Sequence, residues 1–138
     1  MTYSSDDVYE GAWFNNKPHG EGVYVWRDGG RYEGTLEDGL PHGFGRRTFS
    51  SGNKYNGEWR EGKKHGRGTM EFANGDAYEG DWVGDEMHGI GFYRWYTGDS
   101  YKGGFKNDKR HGLGVLQLSN DETIEATWED GKMTNEAI

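Results

Sequence analysis

The sequence contains no cysteine and few aliphatic residues. Without cysteine, the chain has no disulfide framework, thiolate zinc site or thiol nucleophile. Only 31% of its 138 residues are hydrophobic, so leucine, isoleucine and valine cannot fill a thick core. The chain also lacks an apolar run of the ~20 residues that span a membrane, and glycine interrupts every segment that could otherwise be helical. These absences predict a soluble, cytoplasmic protein without helices.

Basic residues are fewer than acidic ones, with 16 lysines and arginines and 24 aspartates and glutamates. The resulting net charge of −8 and isoelectric point near 5.1 oppose a general attraction to phosphate backbones and to anionic lipid. We therefore expect no nucleic-acid partner. Binding to a membrane is disfavoured and would depend on a local basic patch.

Aromatic residues and glycine are abundant, and they recur at a fixed spacing. Measured from each repeated tyrosine, the chain divides into consecutive units of 23 residues without any insertion. Such a period indicates stacked units that contact mainly their neighbours. Residues 1–8 match the end of a preceding unit, with Tyr3 at position 18 and Asp6 and Asp7 in its turn. Residues 124–138 begin a degenerate unit, which we expect to form a one-strand cap and a tail. The complete units, one to five, are residues 9–31, 32–54, 55–77, 78–100 and 101–123.

Within each unit, two stretches alternate between apolar and polar residues with the period of a half-buried strand. Tyrosine at position 1, glycine at 3 and an aromatic residue or leucine at 5 share one face, as do positions 14, 16 and 18. Positions 6 to 12, rich in glycine, asparagine and aspartate, predict a hairpin connection, and a second turn is expected near the glycine at position 21. The predicted fold is therefore all-β, an elongated and twisted single-layer antiparallel sheet of tandem hairpins.

The motif Y-x-G-x-[WF], followed by H-G-x-G and by a glycine near position 21, resembles the MORN (membrane occupation and recognition nexus) repeat. The likeness covers residues 9–123 completely and 124–131 in part. It implies a non-catalytic scaffold for partner proteins, often near the cytoskeleton or membranes, with partner segments along an aromatic-lined groove. Choline-binding repeats are the alternative, because they are also glycine-rich aromatic hairpins and cage a quaternary amine. They lack the His-Gly-x-Gly step.

Every histidine of the chain lies in a His-Gly-x-Gly step. Equivalent residues of successive units are two strands, or about 10 Å, apart, whereas zinc ligands lie ~2.1 Å from one ion. The histidines therefore cannot converge on a metal, and we expect each ring to pack over a hairpin connection and to bond to its backbone. The five are His19, His42, His65, His88 and His111.

No group of residues predicts catalysis. Glu10, Glu33 and Glu79 recur on one sheet face without an opposing wall, whereas the carboxylates of glycosidases lie ~5–10 Å apart across a cleft. Ser50 and Ser51 occupy a turn and have no base nearby. The repeated glycines enter a strand rather than a helix, which argues against a phosphate-binding loop. We expect no enzymatic activity and no cofactor.

Positions 16 and 18 predict the binding surface. Their side chains share one face, and a single-layer sheet has no second layer to cover them. Position 16 varies while position 18 stays mostly aromatic, as expected of a recognition surface with an aromatic floor. The predicted groove consists of Tyr24, Trp26, Arg47, Phe49, Met70, Phe72, Tyr93 and Trp95, with Arg47 as a polar anchor.

A basic edge offers a second hypothesis. Lys63 and Lys64 in unit three and Lys109 and Arg110 in unit five fall in the predicted hairpin connections, where they could face an anionic membrane or an acidic partner. A third hypothesis makes the chain the non-catalytic array of a larger enzyme, such as a lysine methyltransferase or a lipid kinase. The preferred function is a scaffold that binds an extended or helical partner segment, with weak dimerisation through open strand edges.

Overall fold

The computed structural model describes residues 7–134 and consists of strands and turns. Tyr3 and Asp6 of the predicted half-unit, and the tail from residue 135, lie outside the described residues. Each unit contributes one strand of seven residues and one of nine. The strands are β1 (Val8–Phe14), β2 (Lys17–Val25), β3 (Arg31–Glu37), β4 (Leu40–Thr48), β5 (Lys54–Arg60), β6 (Lys63–Glu71), β7 (Ala77–Val83), β8 (Glu86–Arg94), β9 (Ser100–Lys106), β10 (Lys109–Gln117), β11 (Thr123–Glu129) and β12 (Lys132–Met133).

The strands form one open sheet in which chain order equals spatial order. Every neighbouring pair is antiparallel, so each strand bonds to the one before it and the one after it. The predicted all-β sheet of tandem hairpins is confirmed. At the C-terminal end the structure adds the two-residue strand β12, where the sequence pattern predicted a single strand alone.

Each hairpin closes through two residues at positions 7 and 8, both with positive φ. The pair Asn15 and Asn16 has φ values of 50° and 65°, and Asp38 and Gly39 have 52° and 84°. Two residues in this conformation form the turn whose twist matches that of the flanking strands. The prediction of a long connection over positions 6 to 12 was therefore wrong, because position 6 ends one strand and position 9 begins the next.

The His-Gly step lies in the second strand of the hairpin rather than in its connection. Between the pairs Gly11–Gly22 and Trp13–Pro18, one residue of β1 faces three of β2, including His19 and Gly20. This bulge recurs in every unit, and its glycine has φ between 79° and 92°, a region that other residues enter at a cost. The His-Gly step was predicted to lie in the hairpin connection, and it lies instead at a bulge within the strand.

The histidine ring links this bulge to the next hairpin. His42 Nδ1 accepts a hydrogen bond at 3.3 Å from the N–H of Glu61, which lies in the following turn. Its Nε2 is 3.5 Å from a carboxylate oxygen of Glu37. For His42, the predicted packing over a connection with a bond to backbone is therefore observed.

The tyrosine at position 1 explains the glycine at position 14 of the motif. The Tyr9 ring lies over Gly22, where an added Cβ would stand 2.6 Å from Cε1 of the ring. Its hydroxyl donates to the carbonyl of Ala12, the residue opposite the bulge, at 2.7 Å. The same bond, at 2.7 to 3.0 Å, recurs for Tyr32, Tyr55, Tyr78 and Tyr101.

From Tyr32 to Trp128 the core is a continuous row of edge-to-face rings. Tyr55 contacts Trp59 of its own unit with ring centroids 4.9 Å apart, and Trp82 of the next unit at 5.4 Å. Such geometry stabilises aromatic pairs beyond the area they bury. The position 5 rings pack against these tyrosines and not against position 18, because position 1 pairs with position 16 and so places positions 5 and 18 at opposite ends of the strands.

Neighbouring hairpins are joined at their turns. The N–H at position 8 donates to the carbonyl at position 10 of the preceding unit, as from Gly39 to Pro18 at 2.9 Å. Where position 10 is not proline, its own N–H can donate to an aspartate at position 8 of the next unit. This bond measures 2.7 Å for Lys64 with Asp85 and for Met87 with Asp108.

Candidate functional site: the aromatic face

The sheet has two unlike faces. The aromatic face carries the tyrosine core together with positions 10, 16 and 18, and the back face carries positions 13 and 15. Within residues 7–134 no second layer covers the aromatic face, so the rings at its margin stay partly exposed. The predicted groove residues found half-buried there are Tyr24, Trp26, Arg47, Phe49, Phe72, Tyr93 and Trp95.

Met70 departs from this prediction. Its side chain is only 4% exposed and belongs to the buried core. Met70 is paired with Tyr55 and Tyr78 on the two neighbouring strands and lies in the same core cluster as both, where a flexible thioether suits irregular space. Met70 is therefore a packing residue, and the argument that position 16 stays open in every unit was wrong for unit three.

Tyr93 is held by a buried carboxylate. It packs 4.9 Å from Trp95 and 5.8 Å from Phe72 between ring centroids. Its hydroxyl donates to Asp76 Oδ2 at 2.7 Å, while Oδ1 of the same carboxylate accepts the N–H of Tyr96 at 2.8 Å. Burial, followed by these interactions with Asp76, raises the pKa of Tyr93 above its ordinary value.

The same arrangement recurs at the start of the array. Tyr24 packs 4.8 Å from Trp26, and its hydroxyl donates to Asp7 at 2.8 Å. Asp7 also accepts the N–H of Arg27. Asp7 and Asp76 both occupy position 22, so a carboxylate there accepts from the tyrosine at position 16 of the next unit.

Arg47 has a different environment at position 16. Its guanidinium carbon lies 4.1 Å from the centroid of the Trp26 ring and 4.4 Å from that of Phe49. Planar stacking between two rings suits the guanidinium group. Burial lowers the pKa of Arg47, and the negative charges of Asp28 and Asp85 partly oppose that effect.

The predicted basic edge is not a single surface. Lys64 turns onto the aromatic face, where its ammonium lies 5.2 Å from the Trp82 ring and 3.6 Å from Asp85. Its side chain is 12% exposed, and burial lowers its pKa while Asp85 raises it. Lys63 is exposed on the adjacent position of the strand. The pair cannot act together, since alternate residues of a strand face opposite sides.

The second half of that edge divides in the same way. Arg110 is half-buried, with its guanidinium carbon 4.3 Å from the Trp128 ring and one nitrogen donating to the carbonyl of Gly131 at 3.0 Å. Burial lowers its pKa. Lys109 is exposed. Position 10 therefore adds cations to the aromatic face, a role that sequence reasoning missed because it treated these residues as a loop.

The structure also shows an apolar patch on the back face that the sequence analysis did not consider. Ile90 is 60% exposed and Leu113 is 78% exposed, at position 13 of units four and five. Phe44 occupies the same position in unit two and is 68% exposed. The signal was present in the strand parity, since position 13 must face away from position 14.

No group of three or more histidine, aspartate or glutamate residues within 7–134 is placed to hold a metal ion. The prediction that the histidines bind no zinc remains to be tested in solution. In the same part of the chain, no helix is long and apolar enough to cross a membrane.

The repeat units correspond to a known family. The model of the MORN repeat matches residues 9–31, 32–54, 55–77, 78–100 and 101–123. The chain belongs to the MORN repeat family. MORN repeats are generally a non-catalytic module. No curated protein matches the chain.

Among solved structures, this MORN array resembles the TCP domain of SAS-4 (dCPAP) of Drosophila melanogaster, solved in complex with a proline-rich motif of Ana2 (dSTIL). The match has a TM-score of 0.51 and 10% sequence identity, and covers 91% of this chain and 75% of that one. At this identity the likeness shows the fold alone.

Proposed function

We propose that the chain is a non-enzymatic cytoplasmic scaffold that binds a segment of a partner protein along its aromatic face. The supporting observation is the row of half-buried rings at positions 16 and 18, on a sheet without a second layer in its described part. Contiguous apolar surface that stays partly open to solvent marks interaction sites. A bound segment would cover Phe72 and Trp95 while leaving the tyrosine core in place.

An extended segment is the occupant that this surface suits best. Shallow aromatic grooves bind polyproline-type segments, which are already extended and lose little conformational entropy on binding. The structural neighbour is itself a complex with a proline-rich motif. Proline-rich peptides are therefore the first class to test, with helical segments as the alternative.

A peptide-display selection on the whole chain tests this proposal with variants that the repeat itself supplies. Position 18 is Leu118 in unit five and position 13 is Leu113, so Phe72→Leu and Phe44→Leu are the same change on opposite faces. We expect Phe72→Leu to weaken binding of the selected peptides about tenfold, or ~1.4 kcal/mol, and Phe44→Leu to leave it unchanged. If Phe44→Leu weakened binding and Phe72→Leu did not, the partner would lie on the back face and the proposal would be rejected.

Membrane association is the competing outcome. Flotation with vesicles containing phosphatidylserine separates it from peptide binding, with Lys63→Glu and Lys109→Glu as the variants, because both side chains are exposed. We expect the chain not to float. Flotation that disappears in these two variants, together with failure to select peptides, would replace the scaffold by a membrane-targeting module.

We also propose weak self-association through the C-terminal edge. Only Trp128 and Glu129 of β11 pair with β12, so within residues 7–134 the start of β11 has no strand on that side. Open strand edges favour pairing between copies. Light scattering should show a mass that rises with concentration, and a constant monomer mass at the highest soluble concentration would reject it.

A further inference from the structure

Arg47 takes the place that a tyrosine occupies in units one and four. Tyr93 lies between the rings of Phe72 and Trp95. Arg47 lies between Trp26 and Phe49, which are the equivalent rings of units one and two. The repeat thus holds a planar group between successive position 18 rings in both places. Only the polar end of that group differs.

The carboxylate that completes this arrangement is missing beside Arg47. Tyr93 donates to Asp76 at position 22 of the preceding unit, but the residue at that position before Arg47 is Gly30. The guanidinium of Arg47 has no hydrogen-bonded or ion-paired partner among residues 7–134, and its Nε is buried without one. A buried donor without an acceptor is destabilising.

The nearby charges do not fill this role. Asp28 and Asp85 favour the charged form of Arg47 at a distance. Asp28 accepts the N–H of Gly30 at 2.8 Å, and Asp85 accepts the N–H of Lys64 at 2.7 Å. Lys64 is the next cation on this face and is already paired with Asp85. The charge of Arg47 is thus unpaired, whereas that of the neighbouring Lys64 is paired with Asp85.

The geometry points to a carboxylate of the partner segment as the ligand of Arg47. A guanidinium stacked between two rings keeps its N–H groups in one plane, where they match the two oxygens of an aspartate or glutamate side chain. We infer that Arg47, clamped by Trp26 and Phe49, binds one acidic residue of the partner. This inference rests on the proposed function and adds the chemistry that the partner must carry.

Gly30 offers a test within the chain. Gly30→Asp supplies the carboxylate internally, at a turn position that already holds Asp76, Asp99 and Asn53 in other units. An added Cβ there is tight, 3.2 Å from Asp28 Oδ1 and 3.4 Å from the carbonyl of Thr48. Gly30→Asn introduces the same volume without charge and is the matched control.

The experiment uses peptides from the display selection that contain an aspartate or glutamate. On the wild-type chain, replacing that acid by its amide should weaken binding about tenfold, equivalent to ~1.4 kcal/mol. Arg47→Gln and Gly30→Asp should each cause a similar loss with the acidic peptide and almost none with the amide peptide. Gly30→Asn should bind the acidic peptide about as well as the wild type. Thermal melting of each variant shows that it is folded.

The outcomes separate the two ideas. Peptides that need Phe72 but bind equally well with acid or amide would overturn the carboxylate inference and leave the scaffold in place. Failure to select any peptide would overturn both. Vesicle binding that is lost in Arg47→Gln while peptide binding is unchanged would assign the guanidinium to a lipid phosphate and overturn the inference.

Discussion

At the scale of single residues, the glycines of the motif serve two different purposes. Gly68 leaves room for the Tyr55 ring, because a Cβ there would overlap the ring and its hydroxyl. Gly112 has φ +80° and no heavy atom within 4 Å of an added Cβ. The first glycine is required by packing and the second only by backbone conformation.

This difference predicts a ranking of alanine substitutions. Gly112→Ala should lower the free energy of unfolding by about 1 kcal/mol, the usual cost of a positive φ. Gly68→Ala must displace the Tyr55 ring and should cost about 3 kcal/mol or more, since overpacking is added to lost contacts. Urea denaturation of both variants measures the values. If Gly112→Ala lost more free energy of unfolding than Gly68→Ala, Tyr55 would not need the space left by Gly68.

The buried tyrosines predict how the sheet responds to alkali. Burial raises the pKa of Tyr32, Tyr55, Tyr78 and Tyr101 above the ordinary value near 10. Because the folded pKa exceeds the unfolded one, this stabilisation is complete below about pH 10 and is lost as the pH rises beyond it. Phenolate absorbance from these buried rings should therefore appear together with loss of sheet structure. Full ionisation of these rings near pH 10 in a chain that stayed folded would contradict this.

At the scale of elements, the contact between successive hairpins depends on a pair of positions. Proline at position 10 is followed by glycine at position 8 of the next unit, as with Pro41 and Gly62. Lys64 instead has an N–H, which donates to Asp85. In these two combinations the position 10 donor is either absent or paired.

A double-mutant cycle tests this coupling. Lys64→Pro and Asp85→Gly each break the existing pair, whereas the double variant recreates the combination of Pro41 and Gly62. We expect a coupling energy of about 1.5–3 kcal/mol, typical of a hydrogen bond to a charged group. The control cycle combines Lys64→Pro with Asp108→Gly. Asp108 accepts a hydrogen bond from Met87 and not from Lys64. Equal coupling in both cycles would contradict the pairing.

Most of the element pattern could be predicted from the sequence, and the exceptions lie between positions 6 and 14 of each unit. The 23-residue period and the alternation of residues such as Gly22, Tyr24 and Trp26 indicate strands and their shared face. The three-residue bulge at His-Gly has no such signal, because the two residues that it adds leave the alternation between positions 10 and 14 unchanged. Lys64 and Arg110 were assigned to a loop because positions 6 to 12 were interpreted as a connection, although the same alternation places position 10 on the aromatic face. The unpaired state of Arg47 likewise depends on Gly30, which is distant in sequence.

At the scale of the whole molecule, the sheet is a row of hairpins in which each strand bonds only to its neighbours. Stability in such arrays is a sum of unit and interface contributions. Amide hydrogen exchange should therefore be slowest in β5 to β8 and faster toward both ends. Uniform protection along the sheet would instead indicate a single cooperative unit.

The central claim is that a partner segment lies on the aromatic face, and intermolecular nuclear Overhauser effects test it most directly. With a display-selected peptide bound to an isotope-labelled chain, the account predicts contacts from peptide protons to the rings of Trp26, Phe72 and Trp95. Contacts to Phe44 and Ile90 on the back face, with none to those three rings, would contradict it.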